Sequence, residues 1–588
     1  MTRIEEVAAL VGIISTIEAR CKDCYKCLRA CPVKAIKFVP GDASGELHAR
    51  VVDDMCVLCG TCVKECPQNA KKVREDLDVV KHMLESKRPG VPIGVSIAPS
   101  FVSGMMLEEP LGIVSALKRL GFDVVEETAI GAALVAKFHS EYEPDSQPKV
   151  IGTACPVVVN LVEKYYPDAI SSMTPVVSPM IAHARDLRAR HPGIQVVFIG
   201  PCFAKKSEAE EAYGSSEVAA VLTFAELAKW FEEEGIDLEQ MQPAEFEGPN
   251  PGTARFFPLE GGLPHTASME TGVGAKTTLA VSGIEECMDF LKMAQEDNPL
   301  IKDIAVADLL ACRGGCINGP GIATTADQFT RRAHLVQYAA AKKRLTCEVD
   351  EPSAEDIDLS RAFCSKQPKL RQPTEQEIRQ ILERTGKMTE ADELNCGSCG
   401  YSSCRAKAIA VYQGLAEIEM CLPYMRSKAE SLSNSVVEHA PDGIVVVDSA
   451  CRIVQVNRSF ERMFGSGAKN VLGQPLANII DSENYERVLS EHKPIMVTCA
   501  YPKYGVVTLQ TIFYMPDQRL AVGIMADITE EEKRKEAMLK LKAATMTRAQ
   551  EVINKQMKVA QEIASLLGET TAETKVLLSK IIELNRQD

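Results

Sequence analysis

Cysteine is the residue type whose spacing in this chain points most directly to chemistry. One run of four is repeated after 35 residues, with a proline behind each fourth cysteine: Cys21, Cys24, Cys27 and Cys31, then Cys56, Cys59, Cys62 and Cys66. Three thiolates at this spacing hold one corner of a [4Fe–4S] cube, and the fourth ligates the neighbouring cube. We therefore predict two [4Fe–4S] clusters, one on Cys21, Cys24, Cys27 and Cys66 and one on Cys56, Cys59, Cys62 and Cys31. Paired zinc sites are the alternative.

Four further cysteines stand in three separated loops. Cys155 and Cys202 each follow a predicted strand, and Cys312 and Cys316 flank a Gly-Gly pair. Because strand ends converge at one edge of an α/β sheet, these thiolates can share a single cluster. Buried structural thiols are the alternative, but they leave the Gly-Gly pair and Lys205 without an explanation.

A third group, in the order Cys396, Cys399, Cys404 and Cys421, lies in a Gly- and Ser-rich context. It resembles the small [4Fe–4S] module of electron-transfer and corrinoid-protein chains, over about residues 380–425. The resemblance implies one further [4Fe–4S] cluster, and zinc is again the alternative. The remaining cysteines, which fit no ligand spacing, are Cys287, Cys347, Cys364, Cys451 and Cys499.

The elements that position these groups are predicted from hydrophobic patterning, which indicates a multidomain chain with α/β and α+β parts. The middle block alternates helices such as Leu111–Leu120 and Phe224–Glu234 with buried strands, for which we predict Val91–Ala98, Lys149–Gly152, Ile194–Gly200 and Ile304–Leu310. The predicted domains are a ferredoxin-like two-cluster domain (1–85), an α/β domain (86–346), a linker (347–375), a small cluster module (376–428), an α+β domain (429–530) and a helical tail (531–588).

The α+β domain resembles PAS domains. The resemblance lies in four β-like runs, Gly443–Val447, Ile453–Val456, Gly505–Phe513 and Leu520–Met525, and in the closing Asp527-Ile528-Thr529-Glu530. The tail carries apolar residues every seven positions: Leu539, Met546, Ile553, Ala560 and Leu567. Such a stripe predicts a coiled-coil pairing surface, and pairing through the PAS domain and this helix would give a homodimer.

Residues 17–72 resemble bacterial two-cluster ferredoxins, and residues 90–345 resemble the catalytic domain of [FeFe]-hydrogenases, which has three signature loops of this form and order. The resemblance implies an H-cluster, a [4Fe–4S] cube joined to a diiron unit with CO, cyanide and a dithiolate bridge. Its implied ligands are Cys155, Cys202, Cys312 and Cys316, with Cys316 as the bridge. Lys205 and Ser100 would donate hydrogen bonds to the two cyanides, Glu208 would pair near Lys205, and Pro99 and Ala154 would line the pocket.

The sequence also departs from that family. Ala154 stands where proton-reducing members have a second cysteine that passes protons, and the helix at residues 134–139 lacks the acidic pair of the usual proton route. Gly200 and Leu310 replace two methionines. Proton transfer by a positioned group is worth about two to four powers of ten in rate. We therefore predict slow turnover, with His139, Glu141 or a chain of bound water molecules as the candidate substitutes for the missing proton route.

These features predict an H2-responsive sensory [FeFe]-hydrogenase with H2 and protons as substrates, a ferredoxin-like or other redox partner, and a downstream signalling protein as the recipient of its output. A metabolic ferredoxin-dependent hydrogenase and a non-catalytic iron–sulfur scaffold are the alternatives. The net charge of −15 and the 5% aromatic content argue against a nucleic-acid partner. No apolar run is long enough for a membrane span, and the acidic N-terminus differs from a secretory signal, so we predict a cytoplasmic protein.

Overall fold

The computed structural model describes residues 12–40, 47–142, 151–211, 217–269, 278–295, 304–345, 357–465 and 471–584. The chain divides into two compact units, Met1–Leu422 and Pro423–Asp588. None of the helices in the described ranges combines the length and the hydrophobicity that crossing a membrane requires.

The N-terminal part of the first unit builds one small motif twice. Its strands are β1 (Ile14–Thr16), β2 (Ile36–Pro40), β3 (Leu47–Val51) and β4 (Lys71–Val73). β1 pairs antiparallel with β4, and β2 pairs antiparallel with β3. The third cysteine of each run lies in a short helix, Cys27 in Lys26–Ala30 and Cys62 in Thr61–Lys64. The repeat in the sequence is therefore also a repeat in the structure.

The middle block is α/β. Its parallel sheet has the order β6-β5-β7-β8, formed by β5 (Ile93–Ile97), β6 (Val124–Glu127), β7 (Gln195–Gly200) and β8 (Ala220–Thr223). A second parallel pair joins β9 (Thr278–Ser282) to β10 (Val306–Leu310). β5, β6, β8 and β10 are buried along their whole length, because helices cover both faces of a parallel sheet.

The helices of the first unit are α1 (Lys26–Ala30), α2 (Thr61–Lys64), α3 (Leu77–Glu85), α4 (Phe101–Met105), α5 (Gly112–Arg119), α6 (Ala129–Glu141), α7 (Pro156–Tyr165), α8 (Pro179–Arg190), α9 (Ala204–Glu211), α10 (Phe224–Glu233), α11 (Gly262–Thr266), α12 (Ile284–Gln295), α13 (Gln328–Leu345), α14 (Glu375–Arg384) and α15 (Cys404–Tyr412). The predicted helices in the middle block are confirmed as α5 and α10. The predicted strand at Lys149–Gly152 is not formed in its described part, where Ile151 makes only isolated bridges to Met173 and Ala307.

The expected linker is described from residue 357 onward and packs against the α/β domain. Leu359 is buried, and the Ser360 backbone bridges to Val176. Lys366 pairs with buried Glu163 at 2.9 Å. The segment is thus held by a few buried apolar side chains and individual polar contacts rather than by regular secondary structure.

The second unit begins with the long helix α16 (Leu422–His439) and continues into a five-stranded antiparallel sheet of order β12-β11-β15-β14-β13. Its strands are β11 (Gly443–Val447), β12 (Ile453–Val456), β13 (Ile495–Tyr501), β14 (Val506–Met515) and β15 (Leu520–Asp527), with helices α17 (Arg458–Phe464) and α18 (Glu483–Glu491) between them. The four predicted β-runs are confirmed. Edge strand β13 alternates between half-buried and exposed positions, and its weak apolar signal explains why it was not predicted.

The chain ends in one helix, α19 (Thr529–Leu584), which is 56 residues long. Its apolar stripe is exposed: Leu539, Met546, Ile553 and Leu567 are each more than 50% accessible. A helix of this length with an uncovered heptad stripe is typical of a segment that pairs with another helix.

Candidate metal centres

The first predicted cluster site is a small cavity lined by all four of its expected ligands, Cys21, Cys24, Cys27 and Cys66. Asp23 and Tyr25 adopt positive φ angles of 47° and 56°, which turn the chain between these thiols. The amide of Ala70 donates to the Cys66 thiol at 3.2 Å. The fourth cysteine of the second run thus joins the first three of the first run.

The second predicted set, Cys31, Cys56, Cys59 and Cys62, is also brought together, since these thiols interact electrostatically with one another. Burial raises the pKa of Cys31 to about 11 and that of Cys56 to about 12. A buried thiol loses its proton when a metal ion binds beside it, because the positive charge of the ion stabilises the thiolate in place of water. The donor set therefore fits a metal cluster.

The loops of the α/β domain converge as predicted. Cys202 follows β7, Cys155 precedes α7, and Cys312 and Cys316 follow β10. Each of the four thiols lies within electrostatic range of the others, and burial raises the pKa of every one, that of Cys202 to about 12. Gly315, at φ 98°, has no room for a Cβ, because that atom would collide with the Pro258 carbonyl.

Beside these thiols lies a cavity of about 80 Å³, several times the room that one water molecule needs. Its lining residues include Ala98, Pro99, Ser100, Thr128, Ala154, Met180, Phe198, Cys202, Lys205, Phe257 and Cys316. Ser100 is fully buried, and its Oγ has no hydrogen-bond partner among the described residues. A buried hydroxyl without a partner is costly, so a polar ligand in this cavity would satisfy it. The residues present fit a group with anionic, hydrogen-bond-accepting ligands.

Lys205 reaches the same cavity within a polar network. Its Nζ donates to Glu208 at 2.6 Å and to the Ser178 hydroxyl at 2.9 Å. Arg361, from the segment expected to be a linker, meets Glu208 at 3.3 Å. Sequence reasoning missed Ser178 and Arg361, because neither belongs to a recognisable motif and both reach the site from distant parts of the chain.

The two residues predicted to substitute in proton transfer, His139 and Glu141, lie away from this cavity. Ala154 lines the cavity with a methyl group that has no proton to exchange. His139 is buried, its Nδ1 lies 2.9 Å from the Val135 carbonyl, and burial lowers its pKa. Glu141 is exposed at the end of α6. Neither residue lines the cavity.

The third cysteine group is partly assembled. Cys399 and Cys421 both lie near buried Lys407, and Lys387 donates to the Cys421 thiol at 3.5 Å. Cys404 begins α15 and is half-buried, whereas Cys396 is exposed. Four of the cysteines that fit no ligand spacing form no disulfide bond within the described part of the chain: Cys287, Cys364, Cys451 and Cys499. The fifth, Cys347, lies outside the described residues.

Three of the four cysteine sets in the first unit are close enough to interact electrostatically, one with the next. Cys59 interacts electrostatically with Cys312, and the Lys34 ammonium interacts electrostatically with both Cys31 and Cys399. The set Cys31, Cys56, Cys59 and Cys62 therefore interacts both with the thiols beside the cavity of about 80 Å³ and, through Lys34, with the third group. Gly60 permits this approach, since a Cβ there would be 2.6 Å from Pro320.

Four sequence families match the chain. Residues 92–320 match the iron-only hydrogenase large subunit, C-terminal domain, residues 20–70 a 4Fe–4S dicluster domain, residues 392–423 an Fe–S cluster family, and residues 441–530 a PAS domain. The chain therefore contains a hydrogenase-type catalytic domain, a dicluster ferredoxin domain and a PAS domain. It is an [FeFe]-hydrogenase-like iron–sulfur protein.

Among curated proteins, the chain is 28% identical over 334 residues to an NADP-reducing hydrogenase subunit of Solidesulfovibrio fructosivorans, covering 46% of this chain and 56% of that protein. It is 24% identical over 370 residues to an iron hydrogenase of Clostridium pasteurianum, covering 51% and 63%. The chain thus spans less than two thirds of either relative. A solved [FeFe]-hydrogenase from Chlamydomonas reinhardtii is 18% identical over 50% of this chain and 100% of that one, with a TM-score of 0.37.

Proposed function

We propose that this protein is a sensory hydrogenase that binds H2, interconverts H2 with protons and electrons slowly, and transmits its state through its PAS domain. The observation that carries the proposal is the fully buried Ser100 hydroxyl. It has no hydrogen-bond partner in the described part of the chain, and Ser100 lines the same cavity as Lys205 and two of the four clustered thiols. An iron–sulfur scaffold would need the thiols but not this polar pair.

Cys155, Cys202, Cys312 and Cys316 would hold the H-cluster cube, and Cys316 would also bridge to the diiron unit. Lys205 and Ser100 would donate hydrogen bonds to its cyanides, while Pro99 and Ala154 would line its pocket. When bound, the cofactor supplies the redox-active iron at which H2 and protons interconvert. Charge-assisted hydrogen bonds from an ammonium in dry surroundings are strong, so Lys205 would fix the orientation of that group.

The chain's own residues prepare the pocket for this role. Glu208 and Ser178 hold the Lys205 ammonium in place before any ligand arrives. The walls formed by Met180, Phe198 and Phe257 are apolar and keep water out. Removing water strengthens each electrostatic contact in the pocket.

Ala154 supports slow turnover. A methyl group at this place can neither take up nor release a proton, whereas a thiol can. A positioned proton donor contributes about 100-fold or more to rate. A slow enzyme whose occupancy by H2 persists is suited to sensing rather than to bulk gas conversion.

Electrons would pass between the diiron pocket and the cluster on Cys31, Cys56, Cys59 and Cys62, and from there to the cluster on Cys21, Cys24, Cys27 and Cys66 or to the one on Cys396, Cys399, Cys404 and Cys421. The electrostatic interaction between Cys59 and Cys312 supports the first step. A ferredoxin-like or other redox protein would exchange electrons at the outer clusters.

The second unit would carry the output. The apolar stripe of α19 would pair with the same stripe in a second copy, and the paired helices would contact a signalling protein. Ile553→Lys should make the protein monomeric in sedimentation experiments, whereas Thr547→Lys on the same helix should not. Equal sedimentation of the two variants would exclude this pairing surface.

Infrared spectroscopy of the protein matured with the diiron precursor tests the proposal. Iron-bound CO and cyanide bands are expected, and H2 should shift them while gas turnover stays slow. Ala154→Cys should raise the turnover if the missing thiol limits the rate. Rapid turnover of the unsubstituted protein would identify a metabolic hydrogenase instead.

A protein without CO and cyanide bands would instead be a scaffold. The similarity that favours the scaffold alternative is to the mouse cytosolic iron–sulfur assembly component 3, which is 23% identical to this chain over 236 residues. Retention of the [4Fe–4S] signals in electron paramagnetic resonance would show that loss of the bands reflects the diiron pocket and not misfolding.

A further inference from the structure

A line of buried hydrogen-bonding side chains leads away from the diiron pocket. Thr128 lines the cavity, and its Oγ1 lies 2.7 Å from the Oγ of Ser96. The same Ser96 oxygen lies 2.8 Å from Nδ1 of His183. The other ring nitrogen of His183, Nε2, lies 3.0 Å from Oε2 of Glu126. All four residues are buried, so the line runs through the interior of the α/β domain.

The line ends just below the protein surface. A Cβ on exposed Gly248 would lie 2.7 Å from Oε2 of Glu126, so this exposed glycine lies directly over the carboxylate. Arg190, 29% accessible, donates two hydrogen bonds to Glu126. Burial would raise the pKa of Glu126, but the hydrogen bonds from Arg190 and His183 outweigh it and lower that pKa to about 2. Glu126 is therefore ionised at rest, and a carboxyl group with so low a pKa gives up an added proton readily.

The groups around His183 favour proton transfer over metal binding. Its imidazole lies within 4.8 Å of carboxylate oxygens of Glu126 on β6 and Asp186 on α8, a set that resembles a metal site. However, Arg190 already places a cation on both carboxylates, and the contact to His183 from β5 is the uncharged hydroxyl of Ser96, which in turn bonds to Thr128. An imidazole held between a hydroxyl and a carboxylate can pass protons in either direction.

We propose that Thr128, Ser96, His183 and Glu126 form a proton relay that carries protons in place of the thiol missing at position 154, more slowly than that thiol would, an inference that rests on the proposed function. A proton accepted by the Thr128 hydroxyl displaces the Thr128 proton to Ser96. The Ser96 proton then moves to Nδ1 of His183, the Nε2 proton moves to Glu126, and Glu126 releases one proton to water past Gly248. One proton enters, one leaves, and no electron is transferred. Proton uptake follows the same steps in reverse.

The test follows the infrared bands of the loaded protein after a rapid pH jump, which measures proton arrival independently of gas turnover. Thr128→Val and Ser96→Ala each remove one hydroxyl and should slow the band shift by about 100-fold, while the bands before and after the jump keep their positions. Thr128→Ser keeps the hydroxyl and should respond like the unsubstituted protein. Ser103→Ala removes a buried hydroxyl that bonds the Ser100 carbonyl outside the relay, and it should also leave the response unchanged.

The outcomes separate the two ideas. Normal response rates in both Thr128→Val and Ser96→Ala would overturn the relay and leave the proposed function intact. Equal slowing in Ser103→Ala would also overturn it, because the effect would then be a general loss of packing. Absence of CO and cyanide bands from the unsubstituted protein would overturn the proposed function, and the relay with it.

Discussion

The Nζ atom of Lys205 lies 2.6 Å from Oε2 of Glu208, and the two side chains are only 10% and 2% accessible. The second carboxylate oxygen of Glu208 faces Arg361 at 3.3 Å. One buried carboxylate therefore balances two cations, one from the signature loop and one from the segment behind the α/β domain. A buried charge left without its partner is strongly destabilising, so Glu208 supports both the pocket and the attachment of that segment.

Glu208→Gln should lower the free energy of unfolding of the α/β domain by about 3 kcal/mol, because Lys205 and Arg361 would both lose their counter-charge. The fluorescence of Trp230, the single tryptophan of the chain, reports the unfolding of this domain in urea. Asp289→Asn is the control, since Asp289 pairs with Lys292 on the surface, where such pairs contribute little. Equal losses in the two variants would contradict the assignment.

Asp308 makes the stability of the domain depend on pH. Burial raises its pKa to about 7, above its ordinary value of about 3.9, so between these values the folded protein holds a proton that the unfolded chain has released. The stability contributed by this proton is fully present below about pH 4 and is lost as the pH rises through about 7. Asp308→Asn, which keeps an acceptor for the Leu263 amide, should remove about 3 kcal/mol of the decline between pH 5 and pH 8. An unchanged pH profile of Trp230 unfolding would exclude this origin.

Gly60→Ala should weaken the contact between the dicluster domain and the α/β domain. Gly60 has φ 75°, and a Cβ would lie 2.6 Å from Pro320 and 3.0 Å from Phe203. We expect a loss of about 2 kcal/mol in stability, from backbone strain and overpacking together, and slower electron transfer in stopped-flow reduction of the loaded protein. Gly90→Ala is a matched control, because Gly90 has φ 83° but no atom within 4 Å of the added methyl. If the two variants behave alike, strain alone explains the effect.

Lys407→Met should lower the reduction potential of the third cluster. Lys407 is buried near Cys399 and Cys421 and donates to the Ile418 carbonyl at 2.8 Å. A nearby positive charge favours the more negative, reduced state of a cluster, so we expect a fall of about 60 mV, a tenfold change in a one-electron equilibrium. Electron paramagnetic resonance during a redox titration measures it. Exposed Lys369→Met should leave the potential unchanged, and a similar shift there would argue against a local effect.

Much of the architecture could be predicted from local patterns. The repeat of Cys21–Cys31 at Cys56–Cys66 predicted a doubled motif, and buried apolar runs predicted β5, β7 and β10, because such patterns depend on neighbours in the chain. Edge strand β13 was missed, since an edge strand buries little and carries a weak pattern. The prediction of a strand at Lys149–Gly152 was wrong for the described residues 151–152. A short apolar run does not by itself specify a neighbouring strand with which it can form hydrogen bonds.

The sequence alone indicated which residues can bind iron and how they are grouped, because these properties depend on side-chain type and spacing. Its resemblance to [FeFe]-hydrogenases added the expectation that Ala154 stands where a proton-passing thiol would otherwise be. Only the tertiary structure decided that Ser178 and Arg361 support Lys205 through direct and shared contacts, and that Thr128, Ser96, His183 and Glu126 form one line. These residues come from different strands and helices, and hydrogen bonds between them depend on how the sheet and its helices pack, which no local pattern in the chain encodes.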